Sequence, residues 1–420
     1  MYLLRCHGGA GKGGEAMTLE HYVEVGKKRL RCGYTTGTCA AAAAQACGQA
    51  LLAGGFPHSL RIDTPAGVAV VVEPEEMHRG TNAQGAPWAS CGVRKDAGDD
   101  ADATDDALVV TRVSLTDTPG TTIEGGAGVG RVTRAGLDQP VGAAAINSVP
   151  RAMIASELER VAREHGWQGG FAVEVSVPGG EEIARKTFNP RLGIEDGISI
   201  LGTSGIVRPM SEEALVESIR LEMRMRRAQG LRDLVLVPGN YGQDWAQDRE
   251  GVDPAHIVSC SNFLGEALDY AGVLGFETLV LVGHLGKLAK VATGAMNTHS
   301  RVADGRAEAF AAHAALAGAS RDDIARLMEC ATTDEAIEVL AGHGPGEAAV
   351  SDERERLLAA TLQSLTQAIA RHVSRRGDPV RCEVVVFSKA WGELGRSSGA
   401  QELLDRHRVR GTAARKEGRI

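Results

Sequence analysis

Apolar positions fall into two regimes along the chain. From about residue 31, short alternating runs dominate. Ser59-Leu60-Arg61-Ile62-Asp63 and residues 68–73 alternate around Thr64-Pro65-Ala66-Gly67, which predicts a hairpin. Residues 107–115 predict another strand, and 171–177, Pro178-Gly179-Gly180 and 181–187 a second hairpin. Tyr34-Thr35-Thr36-Gly37-Thr38-Cys39 leads into a helix over 40–52 with a Thr N-cap, and 150–165 reads as a helix with Pro in its first turn. Strands pairing locally, with few crossover helices, predict an α+β domain over 31–196.

From residue 197 apolar runs alternate with helical spacing. Ile198-Ser199-Ile200-Leu201 precedes Gly202-Thr203-Ser204-Gly205 and a helix over 211–229. Leu234-Val235-Leu236-Val237 ends in Pro238-Gly239-Asn240-Tyr241-Gly242, before a helix over 262–274. Residues 278–282 end in Gly283-His284-Leu285-Gly286-Lys287. Residues 304–370 are Ala-rich and helical, and Glu383-Val384-Val385-Val386-Phe387 is a last strand. This alternation predicts an α/β domain with a mainly parallel, Rossmann-like sheet over 197–405. Residues 1–30 read as a disordered polar leader, with Met17 as a candidate start, and 406–420 as a frayed basic tail.

Composition narrows the function classes. The 420 residues are 43% hydrophobic and 24% charged, ordinary for a folded protein. Only 4% are aromatic, so Ala, Val, Leu and Ile must build the core. The net charge of −8 disfavours a nucleic-acid binder, which needs a basic field. No apolar run approaches the roughly 20 residues that span a bilayer, and residues 1–16 lack a secretory h-region. Cysteines at 6, 32, 39, 47, 91, 260, 330 and 382 form no Cys-x-x-Cys and match no zinc module. They read as packed thiols of a cytoplasmic protein.

Three glycine-bearing turns stand out: Gly202-Thr203-Ser204-Gly205, Gly239-Asn240-Tyr241, and Gly283-His284 with Lys287. If all follow parallel strands, they line the crevice where doubly wound sheets bind ligands; short βα loops also need glycine for geometry alone. No full Gly-x-Gly-x-x-Gly with a following acid indicates NAD, and Gly8-Gly9-Ala10-Gly11-Lys12-Gly13 is no phosphate loop. Lys95-Asp96-Ala97-Gly98-Asp99-Asp100 opens a run that also holds Asp102, Asp105 and Asp106. It fits no EF-hand. It is either a solvated acidic turn or a carboxylate cluster that binds or deprotonates a substrate, some of its pKa values raised by like charge. Gly125-Gly126-Ala127-Gly128-Val129-Gly130 reads as a close-approach segment. Asn297-Thr298-His299-Ser300, with Asp304, Arg306 and Glu308, is either a buried hydrogen-bond network or a polar wall of the crevice.

Several segments together resemble one family. They are Arg31-Cys32-Gly33-Tyr34-Thr35-Thr36-Gly37-Thr38-Cys39-Ala40, residues 95–100, Ile146-Asn147 with Val149-Pro150-Arg151, and residues 186–194. Residues 197–210, Pro238-Gly239-Asn240-Tyr241-Gly242, Ser261-Asn262-Phe263-Leu264-Gly265, residues 283–290 and Asn297-Thr298-His299 continue the series. The chain resembles the cobalt-precorrin-5B C1-methyltransferases (CbiD), densely from about 31 to 310 and thinly afterwards. The resemblance implies S-adenosylmethionine as methyl donor and a cobalt tetrapyrrole as acceptor. The implied reaction is C1 methylation of cobalt-precorrin-5B to cobalt-precorrin-6A in anaerobic cobalamin biosynthesis. The cobalt travels with the substrate, so no protein metal site is implied. The sequence departs from the family at Thr104-Asp105-Asp106, commonly Thr-His-Gly or Thr-Asn-Gly, and at Ala143, often a glutamate.

On this reading the donor meets Gly202, Thr203, Ser204, Gly205, Gly239, Asn240, Tyr241, Gly283 and His284. Thr35, Thr36, Thr38, Lys95, Arg151, Lys186, Arg191, Arg208, Lys287, Lys290, Asn297 and His299 meet the tetrapyrrole, whose acetate and propionate groups call for cations and neutral donors. Asp96, Asp99 and Asp100 are the candidates to take a proton. The competing readings are a non-catalytic tetrapyrrole carrier and another α/β enzyme holding a nucleotide or phosphosugar. The sequence assigns no oligomeric state.

Overall fold

The computed structural model describes residues 19–83 and 85–409. The glycine-rich stretch at 8–13, the candidate start Met17 and the tail beyond 409 lie outside the described residues. The chain divides into two compact units, Met1–Ser211 and Glu212–Ile420.

The first unit is ordered earlier in the chain than expected. Within the expected leader, β1 (Tyr22–Val25) and β2 (Lys28–Arg31) form an antiparallel hairpin. β3 (Gly33–Tyr34) leads into α1 (Thr36–Leu52), which starts earlier than expected because Thr35, not a later threonine, caps it by accepting from the Thr38 N–H. Ala40 to Ala44, Cys39 and Cys47 are buried, and small side chains are what let α1 sink between its neighbours. A Cβ on Gly48 would stand 2.9 Å from Leu158 Cδ2 of α2 (Ser148–His165). β4 (Leu60–Asp63) and β5 (Ala69–Val72) form the hairpin expected there.

The main sheet of this unit draws on β6 (Glu75–Thr81), β7 (Pro87–Arg94), β8 (Leu108–Thr116), β9 (Gly120–Gly125) and, after the short β10 (Gly128–Val129) and β11 (Arg131–Val132), β12 (Gly170–Ser176). Its order is β6-β7-β8-β12-β9, antiparallel except for β12 beside β9. In β8, Val109, Thr111 and Val113 turn inward while Arg112 points to solvent. The expected second hairpin does not form. β12 already has a partner on each side, and Gly179 at φ 74° turns the chain into α3 (Gly180–Ala184), whose first turn carries Glu181 and Glu182.

The chain then adds β13 (Ile194–Glu195), β14 (Gly197–Ile198) and β15 (Ile206–Val207). β14 pairs with β10, β13 with β11, and β15 with β3. Residues 197–211, expected to open the α/β domain, are therefore pairing partners of the first unit's strands.

The second unit runs α4 (Glu212–Ala228), β16 (Asp233–Val237), α5 (Asn240–Asp248), β17 (Ile257–Ser259), α6 (Leu264–Val273), β18 (Thr278–His284) and α7 (Leu285–Ala292). It continues through α8 (Arg306–Leu316), α9 (Arg321–Glu329), α10 (Thr333–Ala341), α11 (Asp352–Gly377), β19 (Arg381–Ser388), β20 (Gly392–Arg396) and α12 (Ala400–His407). The expected tail thus begins inside a helix.

The sheet order is β17-β16-β18-β19-β20, with the first four strands parallel and β20 antiparallel at the edge. Leu234, Leu236, Leu279, Leu281, Val384 and Val386 pack with Met223 of α4, Leu268 of α6, Phe310 of α8 and Ile369 of α11. Val235, Val237, Val280, Val282, Val385 and Phe387 pack on the other face with Ala246 of α5 and Leu403 and Leu404 of α12. Both sheet faces are covered, which is why these strands read as unbroken apolar runs. The fold is mixed α/β.

Candidate functional site

β16, first of the parallel strands, lies between β17 and β18, so the chain departs from it to one side and later returns on the other. At such a reversal the loops after adjacent strands part and leave a crevice at their carboxyl ends. Here the loops are Pro238-Gly239, Cys260-Ser261-Asn262-Phe263, His284 entering α7, and Lys389-Ala390-Trp391 after β19.

Gly239 has φ 129°, a conformation L side chains avoid, and a Cβ there would meet only Lys287 Nζ, at 3.7 Å. Lys287 Nζ donates to Pro238 O at 2.5 Å and Ser261 O at 3.4 Å, tying two of the loops together. Burial pushes the Lys287 pKa down; Cys260 opposes this and Lys290 adds to it. His284 caps α7, its Nδ1 accepting the Gly286 N–H at 3.1 Å. That bond fixes the tautomer, leaving the neutral ring's proton on Nε2. Burial lowers the His284 pKa, with Asp334 opposing and Lys389 contributing.

A row of rings climbs out of the core beside it. Trp245 stacks on Phe387 at 4.4 Å, Phe387 meets His284 edge-on at 5.6 Å, and His284 lies 6.1 Å from Tyr241. Ser388 Oγ donates to Asp334 Oδ1 at 2.8 Å, bringing the start of α10 to the end of β19.

Two expected turns, around Gly239-Asn240-Tyr241 and Gly283-His284, thus meet. The third follows no strand of the five-stranded sheet. Gly202, Thr203, Ser204 and Gly205 belong to the first unit, where residues 201–205 wrap the start of α1. Thr36 Oγ1 accepts the Leu201 N–H at 3.0 Å, Thr38 Oγ1 donates to Gly205 O at 2.7 Å, and Thr35 N–H donates to Gly205 O at 3.1 Å. A Cβ on Gly202 would overlap the Thr35 side chain. Thr35, Thr36 and Thr38 therefore hold this loop, because its flanks pair with β10 and β3 rather than with the strands of the second unit's five-stranded sheet.

The aspartate loop is tied by bonds from within and from neighbouring segments. Arg31 bonds Asp96 through both terminal nitrogens and gives its N–H to Asp99 Oδ2 at 2.7 Å. The buried Lys95 pairs with Asp102 at 2.5 Å. Asp100 Oδ1 accepts from Met210 N–H and Asp105 Oδ1 from Ala97 N–H. The expected upward pKa shifts are reversed where a shift is seen. Burial raises the Asp96 carboxyl, but Arg31, the Gly98 N–H and Lys95 outweigh it and hold it below the usual range. Asp102 is likewise lowered: Lys95 and Thr104 outweigh its burial. Arg31 and Lys95, together with the Gly98 and Thr104 donors, set the sign.

Arg151 donates to Ile146 O and Ile123 O, a scaffold role. Lys186, Arg191 and Arg208 are exposed, Arg191 standing 5.8 Å over the Phe188 ring. In the second unit, Lys290 is buried and donates to Thr298 O. Asn297 Oδ1 accepts from His299 N–H, and His299 Nδ1 from Arg301 N–H, a compact network of turns. Asn297 also lines a cavity of about 560 Å³ with Phe263, Met296, Arg220 and Glu266. Among the described residues no group of three His, Cys, Asp or Glu is placed to hold a metal ion, and no helix is long and apolar enough to cross a membrane. Sequence reasoning passed over Lys389 and Asp334; the position of Lys389 just beyond an apolar strand was its only signal.

The CbiD family matches residues 23–209, and the CbiD C-terminal domain residues 297–398. A protein of Ruminiclostridium cellulolyticum named cobalt-precorrin-5B C(1)-methyltransferase is 44% identical over 92% of this chain and 97% of its own. One of the same name from Alkaliphilus metalliredigens is 41% identical over the same shares. The crystal structure of cobalamin biosynthesis protein (cbiD) from Archaeoglobus fulgidus shares 30% identity and covers 67% of this chain and 86% of that one, with a TM-score of 0.35. Matched by both family domains and by relatives over almost its whole length, the chain belongs to the CbiD family.

Proposed function

We propose that this chain methylates C1 of cobalt-precorrin-5B, giving cobalt-precorrin-6A on the anaerobic, cytoplasmic route to cobalamin. The observation that carries the reading is the 44% identity spanning 97% of a relative with that named activity.

The second unit is read as a doubly wound, Rossmann-like domain holding S-adenosylmethionine at the carboxyl ends of β16 and β18. The fit is supported by the open backbone at Gly239, the exposed Tyr241 ring and the neutral donor His284. When bound, S-adenosylmethionine supplies a methyl group made electrophilic by its sulfonium. Gly239 admits the ligand close to the backbone, and Asn240 and the His284 Nε2–H offer hydrogen bonds without adding positive charge. Lys287 holds the Pro238 and Ser261 loops in register. Much of the catalysis then rests on orientation and on excluding water, since a methyl displacement needs its two reacting atoms in line.

In the first unit the exposed cations Lys186, Arg191 and Arg208 suit the carboxylates of the macrocycle. Lys95 and Arg151 act as scaffold. Asp99 and Asp100 each keep a second oxygen outside the bonds described above, which leaves them able to steer the macrocycle or take a proton. The deciding experiment incubates the purified chain with donor and cobalt-precorrin-5B and follows product mass. Transfer of one methyl group supports the enzyme. Macrocycle binding with no transfer and no affinity for S-adenosylhomocysteine identifies a carrier.

A further inference from the structure

Lys389, in the loop that leaves β19, has a weak partner. It follows the last residue of β19 and is exposed, and its Nζ lies 3.4 Å from the centroid of the Tyr241 ring. Among the described residues, no carboxylate forms an ion pair with it. Tyr241 is 53% exposed and sits in the first turn of α5. The contact therefore reaches from the β19 loop to the β16 loop, beside His284, whose ring is 6.1 Å from Tyr241.

The crevice's other charges differ in kind. Two of the three Lys287 N–H groups are committed to the Pro238 and Ser261 carbonyls. The Asp334 carboxylate already accepts from Ser388. Lys389 alone combines exposure with an ammonium whose donors have only an aromatic face to meet. A cation on an exposed ring is held loosely, whereas a carboxylate offers a charge-assisted hydrogen bond. The long lysine stem can carry the ammonium from one to the other.

We propose that Lys389 is the carboxylate-recognising residue of this crevice, leaving the Tyr241 face for a carboxylate of the bound ligand. The proposal rests on the crevice being the ligand site. The carboxylate has two sources, the methionine end of the donor and the side chains of the macrocycle. Near the donor, Lys389 must point to the methionine end, because the sulfonium repels it.

The test titrates Lys389→Met and Lys389→Arg with S-adenosylhomocysteine and with 5′-methylthioadenosine, which keeps adenosine and thioether but has no carboxylate. For the donor source, Lys389→Met weakens S-adenosylhomocysteine by about tenfold, roughly 1.4 kcal/mol, and leaves methylthioadenosine unchanged. Lys389→Arg keeps most of the affinity. The affinity of the parent protein also falls more steeply with salt than that of Lys389→Met. For the macrocycle source, S-adenosylhomocysteine is unaffected and the tetrapyrrole KM rises about tenfold at unchanged kcat. If neither ligand responds in folded variants, the proposal is overturned. Gly239→Val separates this from the donor reading: unchanged S-adenosylhomocysteine affinity there moves the donor elsewhere, while a Lys389 effect on the macrocycle still stands.

Discussion

Arg31 and Asp96, 65 residues apart, form a two-pronged ion pair, Nη1 to Oδ2 at 2.5 Å and Nη2 to Oδ1 at 2.7 Å. The pair joins the end of the β1–β2 hairpin to the aspartate loop. The lowered Asp96 pKa makes it a stabilising carboxylate and a poor base at neutral pH. Its unfolded form binds a proton more readily, so the stabilisation is complete above the ordinary aspartate value, about 3.9, and is lost as pH falls through the lower folded value. Asp96→Asn should cost about 1–2 kcal/mol at pH 7, and the gap to the parent protein should close in acid. Urea denaturation across pH checks this; an undiminished gap at about pH 3 would count against it.

Lys95 and Asp102 should behave as a coupled unit. The Lys95 side chain is 2% exposed and the Asp102 side chain 26%. Removing one partner of a buried pair leaves the other's desolvation uncompensated. Lys95→Met should therefore cost about 3 kcal/mol. Adding Asp102→Asn, whose oxygen can still accept from Thr104, should cost less than the two changes summed, by about 1 kcal/mol. Strict additivity in a double-mutant denaturation cycle would show the pair to be uncoupled.

Gly202→Val and Gly239→Val should fail in different ways. At Gly202 any side chain runs into Thr35, so the variant should lose cooperative melting of the first unit. At Gly239 nothing but Lys287 Nζ is near, so the cost is backbone strain of about 1–3 kcal/mol. That variant should fold, yet bind S-adenosylhomocysteine at least about tenfold more weakly. Calorimetric melting followed by titration separates the cases. A well-folded Gly202→Val would remove the assignment of its loop to α1.

For the aspartate loop, Asp99→Asn and Asp100→Asn each keep an oxygen to accept the Arg31 or Met210 N–H. Folding should survive. If the loop handles the macrocycle's proton, the double variant should lose about tenfold or more in kcat with S-adenosylhomocysteine affinity unchanged. Wild-type turnover would reduce the loop to scaffold.

These contrasts mark where the sequence was legible. β16, β18 and β19 announced themselves because a strand covered on both faces is apolar throughout. The turns at Gly239 and His284 followed from those strands. Residues 197–211 misled because two-residue strands carry no periodicity: Ile198 beside Val129 and Val207 beside Gly33 are visible only in three dimensions. The hairpin of Tyr22 to Arg31 was masked by Lys27, Lys28 and Arg29, which face solvent. The aspartate run looked like crowded negative charge because Arg31, one of the two cations that reverse its pKa shifts, lies far away in sequence, and the pairing of its neighbour Lys95 could not be read from the chain.

His284 carries the remaining prediction. Its Nδ1 accepts the Gly286 N–H, so protonation sets two donors against each other and uncaps α7. Burial lowers its pKa, only partly offset by Asp334 and reinforced by Lys389. The unfolded chain therefore takes the proton first. Stability due to the neutral ring is complete above about pH 6.5 and drains away as pH falls through the lower folded value. Donor affinity should follow the same direction, because the imidazolium both disturbs the turn and repels a sulfonium. Affinity for S-adenosylmethionine should be level from about pH 7 to 8 and fall once the pH has dropped below the ordinary histidine value, about 6.5. His284→Asn separates the two contributions, since asparagine is a favoured N-cap that does not titrate. It should melt within about 1 kcal/mol of the parent protein, bind the donor several-fold more weakly at neutral pH, and show no acid loss. If the acid loss persists in that variant, the group that switches donor binding is not His284.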